Sequence, residues 1–250
     1  MQAEAVATGR RWDFCAKGYS DNTQKEFIEN YDAFDTLLRE NAPEGAERAL
    51  DVGTGPGFFA MLLSMQGLET VGIDCSETMI RQAEVNAGDR GLSIDFETMD
   101  SHDLMFEDNS FDYIVARNAT WLLYDPEKAF SEWLRVLTPG GRLLYLDANW
   151  CYRDDPELIR KMKEANDLFE EKNGKTFNTY TGDENTDEEF KKTLWFEHTF
   201  RPKWDEETLP RLGYNNVLIT ERMNEIIYSP WKQELYDCMN EFMVIAEKPR

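Results

Sequence analysis

Apolar residues along this chain follow two periods by turns. Phe27, Ile28, Tyr31, Phe34, Leu37 and Leu38 recur at three- and four-residue intervals, which predicts a helix over 22–40. Pro43 and Gly45 end it, and the short apolar run Ala49 to Val52 reads as a first strand. Phe58 to Gln66 reads as a helix stopped at Gly67, followed by a second strand over 70–74. Ser76 can cap a helix that turns Met79, Ile80 and Ala83 inward, and a third strand follows over 94–97. Phe111 to Ala116 is nearly all apolar, as a strand buried on both faces should be. A helix over 128–137 faces Trp133, Leu134 and Leu137 inward, and Pro139-Gly140-Gly141 breaks it before a fifth strand over 142–146. Strands alternating with helices at this spacing predict parallel pairing in a doubly wound α/β sheet.

The rhythm changes after residue 150. Residues 151–204 read as acidic, aromatic and helical, with helices over 157–172 and 188–196 and a polar loop over 181–187. A helix over 205–212 and strands over 217–220 and 242–246 resume the sheet, joined by a long connection over 226–240. Residues 1–11 are small and polar and read as frayed. The division is therefore an N-terminal helical cap (1–44), a core (45–150 and 205–250) and a helical insertion (151–204). A stretch that long between strands is usually functional. Tyr152, Trp195, Phe196 and Trp204 suit it to a lid over the substrate. An acidic cap that dimerises or only solubilises is the alternative, so a homodimer stays open.

Charge narrows the partners. The chain has 27 basic and 49 acidic side chains, a formal net charge of −22, which repels phosphate backbones and anionic lipid surfaces. A small-molecule substrate fits that field better than nucleic acid. No apolar run approaches the ~20 residues that cross a bilayer, so no membrane partner is expected. Cys15, Cys75, Cys151 and Cys238 are scattered, with no zinc spacing and no disulfide framework. Met1 to Arg11 lacks the apolar core of a signal peptide, and the expectation is a cytoplasmic protein with reduced thiols. The acidic run Asp183 to Glu189 lacks the glycine and spacing of a calcium loop, so no metal is expected.

The chemistry concentrates where the first strand ends. Asp51 is followed by Gly53, Gly55 and Gly57 and then a helix, so backbone N–H groups there can approach a ligand as no residue with a Cβ would allow. In a doubly wound sheet the ligand lies outside the carboxyl ends of the strands, where Asp51, Asp74, Asp100 and Asn118 all fall. A dinucleotide-type G-x-G-x-x-G turn would need glycine where Phe58 stands, and no Gly-Lys-Ser/Thr follows to make a P-loop. Asp74 alone does not discriminate, since an NAD ribose would also take it.

As a set these segments resemble the class I S-adenosylmethionine-dependent methyltransferases. Asp51-Val-Gly-Thr-Gly-Pro-Gly57 resembles that family's first motif, and Gly72-Ile-Asp-Cys-Ser-Glu-Thr-Met79 its second. Met99-Asp-Ser-His-Asp-Leu104, Phe111-Asp-Tyr-Ile-Val115 and Leu137-Thr-Pro-Gly-Gly-Arg-Leu-Leu144 are similar to its following segments. Leu212-Gly-Tyr-Asn-Asn-Val217 and Phe242 to Lys248 are similar to its closing strands. The nearest branch is the small-molecule group related to quinone-biosynthesis methyltransferases. The resemblance implies a seven-stranded Rossmann-like sheet with the last strand antiparallel, S-adenosyl-L-methionine as cofactor, and methyl transfer to a small molecule. It implies that Gly53, Gly55 and Gly57 pass under the methionine part and that Asp51 orients the loop and the cofactor's ammonium. It further implies that Asp74 takes the ribose hydroxyls, that Cys75 and Met79 pack on the adenine, and that Asp100 and the Ser101 N–H meet its edge. The Arg117 carbonyl or Asn118 approaches the amino group, and Tyr19, with Trp12, closes over the cofactor.

Plainer structural roles stand beside these. Asp51 and Asp74 can cap neighbouring backbone, Met79 and Cys75 can be core, and Tyr19 and Trp12 can simply pack the N-terminal helix. No residue announces itself as a general base. His198 is a weak candidate, and His102 reads as a surface residue. A non-catalytic cofactor-binding partner or sensor, or an NAD-dependent oxidoreductase, are the rival readings.

Overall fold

The computed structural model describes residues 1–152, 154–173, 190–228, 233, 238 and 241–250. In chain order the first elements are α1 (Ala3–Asp13), α2 (Ala16–Glu29), α3 (Tyr31–Asn41), β1 (Arg48–Val52) and α4 (Phe58–Met65). Next come β2 (Glu69–Asp74), α5 (Glu77–Gly88), β3 (Asp95–Thr98), β4 (Phe111–Arg117), α6 (Pro126–Val136) and β5 (Leu137–Asp147). The chain closes with α7 (Pro156–Asn173), α8 (Lys203–Leu212), β6 (Asn215–Thr220), a short helix over Asn224–Ile227, and β7 (Phe242–Glu247).

Alternate residues of the central strands face opposite ways, and both faces are apolar. Leu50, Val52, Ile114, Ala116, Leu143 and Tyr145 join one core with Phe130, Trp133 and Val136 of α6. Ala49, Tyr113, Val115, Leu144 and Leu146 join the other with Phe34, Leu37 and Leu38 of α3 and Phe58, Phe59 and Leu62 of α4. Burial on both faces is what the near-continuous apolar runs require. The strands form one seven-stranded sheet in the order β3-β2-β1-β4-β5-β7-β6. β1 to β5 pair in parallel, whereas β7 runs antiparallel to β5 and β6. This is the doubly wound sheet with a reversed last strand that the sequence predicts, with a helical insertion after β5.

Several expectations need correction. Residues 1–11 are not frayed: they build most of α1, whose buried Ala5 and Gly9 face the loop after β2. A Cβ at Gly9 would lie 2.3 Å from the Cys75 carbonyl oxygen, so smallness is what lets this helix dock. Asp13 at its end accepts from the Ser76 hydroxyl (2.6 Å) and the Thr78 N–H (3.3 Å), helping to cap α5. The single helix expected over 22–40 is two, α2 and α3, because Asn30 leaves helical geometry at φ −125°. The break lets α2 bond α5 through Ser20 and Asn86 (3.1 Å) while α3 seats Phe34 5.1 Å from Phe58. β5 begins at Leu137, earlier than Pro139-Gly140-Gly141 suggested, through an irregularity in its pairing with β4. Of the helix expected over 188–196, the described part is α-helical at Phe190 and Lys191 and then forms a 3₁₀ turn over Trp195–His198. The loop over 181–187 and the aromatics Trp231 and Tyr236 lie outside the described residues. Among the described residues, no helix is long and apolar enough to cross a membrane.

Phe34 is fully buried and touches rings from two other elements, so Phe34→Ala should lower unfolding stability by ~3–5 kcal/mol. Urea denaturation with an unchanged slope is the measurement; a loss under ~1 kcal/mol would show that α3 contributes little to the core.

Candidate active site

Pairing register brings the carboxyl ends of the parallel strands to one edge: Val52 lies beside Ile73 and Ala116, Asp74 beside Thr98, and Arg117 beside Leu146. β1 is flanked by β2 on one side and β4 on the other, so the chain reverses its winding there and a crevice opens. The crevice encloses about 770 Å³ of empty space, counting its mouth to solvent. Of the residues singled out in the sequence, Tyr19, Gly53, Gly55, Asp74, Cys75, Met79, Asp100, Ser101 and Asn118 all line it. Asp51 lines a smaller pocket beside it, with Tyr19 and Arg117.

The glycines divide their labour. A Cβ on Gly53, at φ 67°, would come within 2.4 Å of the Ala119 Cβ, so only glycine lets the loop after β1 lie against the loop after β4. Gly57 is turned away from the crevice. A Cβ there would meet Ala83 (3.2 Å) and Phe96 (3.3 Å), so its smallness serves packing against α5 and β3.

Asp51 is buried, and its Oδ2 accepts from the Thr54 hydroxyl (2.7 Å) and the Ala60 N–H (2.9 Å), tying the loop to the start of α4. Burial pushes its carboxyl up to about 7 against the pull of those bonds. Asp74 accepts from the Gly55 N–H (3.0 Å) and the Ser76 N–H (2.8 Å), and burial pushes it up to about 6. Asp74 thus braces the glycine loop from the neighbouring strand. Asp100 accepts four bonds. Its Oδ1 takes the His102 N–H (3.0 Å) and Nδ1 (2.9 Å); its Oδ2 takes the Tyr124 hydroxyl (3.0 Å) and the Gln2 N–H (3.2 Å). Burial works to raise its pKa, but these donors outweigh it and hold Asp100 well below the ordinary carboxylate range.

His102 is a correction: it is buried, not a surface residue. Its Nε2 accepts from the Asp125 N–H (3.3 Å), which assigns the proton on Nδ1 to the bond with Asp100, and its ring stacks on Tyr124. The other histidine stands apart. The His198 side chain is 66% exposed, 2.8 Å from Asp154, and is not among the residues lining the crevice.

Two features escaped the sequence reading. The Arg117 side chain, at the tip of β4, pairs with Glu26 of α2 (2.8 Å) and lies 4.5 Å over the Phe34 ring. It fastens the N-terminal helices to the sheet, whereas an arginine closing an apolar strand reads simply as its solvent end. Asn118 has a left-handed backbone (φ 52°), and its Oδ1 is buried with no hydrogen-bond partner among the described residues. Its carbonyl accepts from the Trp121 indole N–H (2.9 Å). Among the described residues no group of three or more His, Cys, Asp or Glu could hold a metal, and Asp183 to Glu189 lies outside them.

A sheet of this order, with a glycine loop under acid-tipped strands, defines a class I methyltransferase-type domain. Residues 50–145 match the family model described as a methyltransferase domain, so this part of the chain is a domain of that family. It is 39% identical over 113 residues to the demethylmenaquinone methyltransferase of Thermus thermophilus, an alignment spanning 44% of this chain and 50% of that protein. A phosphoethanolamine N-methyltransferase 2 of Haemonchus contortus, solved with phosphomonomethylethanolamine and S-adenosylhomocysteine, superposes with a TM-score of 0.63 at 19% identity. That superposition covers 90% of this chain and 55% of the other. The [4+2]-cyclase SpnF superposes at 0.58 with 22% identity, over 87% of this chain and 80% of its own. The chain spans about half the length of the sequence relatives it matches.

The raised carboxyl of Asp74 fixes a pH dependence. A carboxyl whose folded pKa lies above its unfolded value contributes stability that is full below about pH 4 and is lost as pH rises through about 6. Unfolding free energies of wild type and Asp74→Asn should therefore converge or cross as pH rises from 4 to 7, with wild type losing ground. A difference that stays flat over that range contradicts the burial described for Asp74.

Proposed function

We propose that the chain binds S-adenosyl-L-methionine in this crevice and transfers its methyl group to a small-molecule acceptor by in-line displacement. The observation that carries the reading is the convergence of the glycine loop, Asp74, Asp100 and Asn118 on one crevice at the switch point. Two features of the lining fit such a ligand. The orphaned Asn118 Oδ1 is a buried acceptor awaiting a donor, and Gly55 lines the crevice with bare backbone at φ 52°.

In this reading Asp74 keeps lone pairs for two ribose hydroxyls, since each of its oxygens holds one backbone N–H. Cys75 and Met79 supply an apolar wall for the adenine. Asp100 already holds four donors, so an adenine amino group there competes with the Gln2 N–H, the longest of the four. Ser101 offers its backbone N–H beside it. Asn118 receives the amino end of the methionine part. Tyr19 and Trp12, their rings 5.6 Å apart, close the side where the methyl group emerges. Asp51 acts through the loop, held by Thr54 and Ala60. When bound, the sulfonium supplies an already activated methyl group, so the protein's work is alignment and exclusion of water. A general base is required only if the acceptor must lose a proton.

In this reading α1 and α2 roof the crevice, and the described part of the insertion faces the acceptor. The N-terminal segment and the insertion meet where Arg11 lies over Phe190 (5.0 Å), and both pack around Trp121 of the loop after β4. A second reading, cofactor binding without methyl transfer, draws on His102, the histidine lining the crevice: both its ring nitrogens are engaged.

S-adenosylmethionine and S-adenosylhomocysteine should each stabilise the protein against heat, with NAD as an inert control. A ligand at about a hundred times its Kd adds ~2.7 kcal/mol. Asp74→Ala should abolish the shift, and a full shift in that variant removes Asp74 from the binding site. Formation of S-adenosylhomocysteine with a cell extract as acceptor separates the two readings. Binding without turnover favours the second.

A further inference from the structure

Arg201 is fully buried and lies in the insertion, 81 residues from Thr120, yet its guanidinium reaches the ends of the central strands. Its Nε donates to Asp205 (2.9 Å), its Nη1 to the Thr120 hydroxyl (2.7 Å), and its Nη1 lies 3.6 Å from Asp147 at the tip of β5. Backbone bonds lock its own segment, since the Asn149 side chain spans the Arg201 N–H and carbonyl at 2.9 Å each. Asp147, with no exposed surface, accepts from the Thr120 hydroxyl and from the Trp121 N–H (2.9 Å). Trp121 in turn donates its indole N–H to the Asn118 carbonyl (2.9 Å). A continuous chain of bonds therefore runs from Arg201, through Thr120 and Asp147, to the Trp121 ring and the left-handed Asn118.

We infer that Arg201 is a positioning residue for the cofactor's amino acid end, acting through Trp121 on Asn118. The inference rests on the binding reading given above. A non-glycine residue at φ 52° is held in place by its surroundings, and the Trp121 bond grips the carbonyl of Asn118, a residue that lines the crevice. The Trp121 turn is set in its own place by Asp147 and Thr120, and both depend on one guanidinium for their cationic partner. Lysine cannot replace it. An ammonium is a point charge without the planar fork that serves Asp205 and Thr120 together. The adenosine end of the crevice, built by Asp74, Cys75 and Asp100, shares none of these bonds.

That separation supplies the test. Calorimetric titration of wild type, Arg201→Lys and Trp121→Phe would use two probes: S-adenosylhomocysteine, and 5′-methylthioadenosine, which keeps the adenosine and sulfur but lacks the amino acid portion. Each variant should weaken S-adenosylhomocysteine about five- to tenfold, the worth of one hydrogen bond, and methylthioadenosine by less than about twofold. The double variant should be no worse than the weaker single one, because both lesions break the same chain. A merely structural Arg201 would weaken both probes alike; equal losses, or no loss for either, overturn the inference. Should Arg201→Lys fail to fold, Trp121→Phe still decides, since it removes one N–H and keeps the ring. Wild type that binds neither probe defeats the cofactor reading itself, a different result from equal loss in the variants.

Discussion

Buried carboxylates at the ends of parallel strands set the terms for everything around them. Asp51, Asp100 and Asp147 are each 3% exposed or less, and an ionised group so placed must collect donors or give up its charge. Each collects backbone N–H groups from the loops nearby, and the half-buried Asp74 does the same. Asp51 takes Ala60, Asp74 takes Gly55 and Ser76, Asp100 takes His102 and Gln2, and Asp147 takes Trp121 and Ala148. The loops that shape the crevice are thus wound around the acids. The difference among them is chemical: Asp100 is held well below the ordinary range by its four donors, while Asp51 and Asp74 have fewer and are pushed up by burial to about 7 and about 6. One sheet edge carries carboxylates shifted in opposite directions by the balance of burial against the bonds they receive.

Much of this edge was legible in the sequence, for a physical reason. Strands buried on both faces announce themselves as apolar runs, and an acid that ends such a run stands out. That is why Asp51 and Asp74 could be placed without a structure, and why the crevice gathers them with the glycine loop. What was not legible depends on contacts between distant segments. Gly9 in a small, polar stretch carries no helix signal of its own; its meaning comes from the Cys75 carbonyl it lies against. His102 looked like a surface residue because its partners, Asp125 and Tyr124, come from the loop after β4. Arg201 sits in acidic, helical sequence that gives no hint of a buried cation, and its carboxylate Asp147 lies across a whole insertion. Pairing, unlike periodicity, leaves no mark in one sequence.

Two arginines, Arg201 buried and Arg117 half-buried, make a pattern in an otherwise acidic molecule. A net charge of −22 belongs to the whole chain, yet Arg117 and Arg201 each fasten an added segment to the sheet. Arg117 holds α2 through Glu26, and Arg201 holds the return from the insertion to the tips of β4 and β5. Trp12 of the N-terminal segment and Phe196 of the insertion both pack in one cluster with Trp121, so the two attached segments meet at the loop after β4. The sheet and its glycine loop are the part matched by the family model, over residues 50–145, while both added segments lie outside that match.

The roof made by α1 also carries a lesson about assembly order. Its partners lie far along the chain: Asp13 meets Ser76 across 63 residues, and the Gln2 amide meets Asp100 across 98. Closing loops of that length costs chain entropy, so such contacts form only after something else has brought their ends together. The docking surface for α1 exists once β2 and β3 have paired and the loops beyond them have set. The walls of the crevice belong to the sheet, and its roof depends on contacts of long sequence separation.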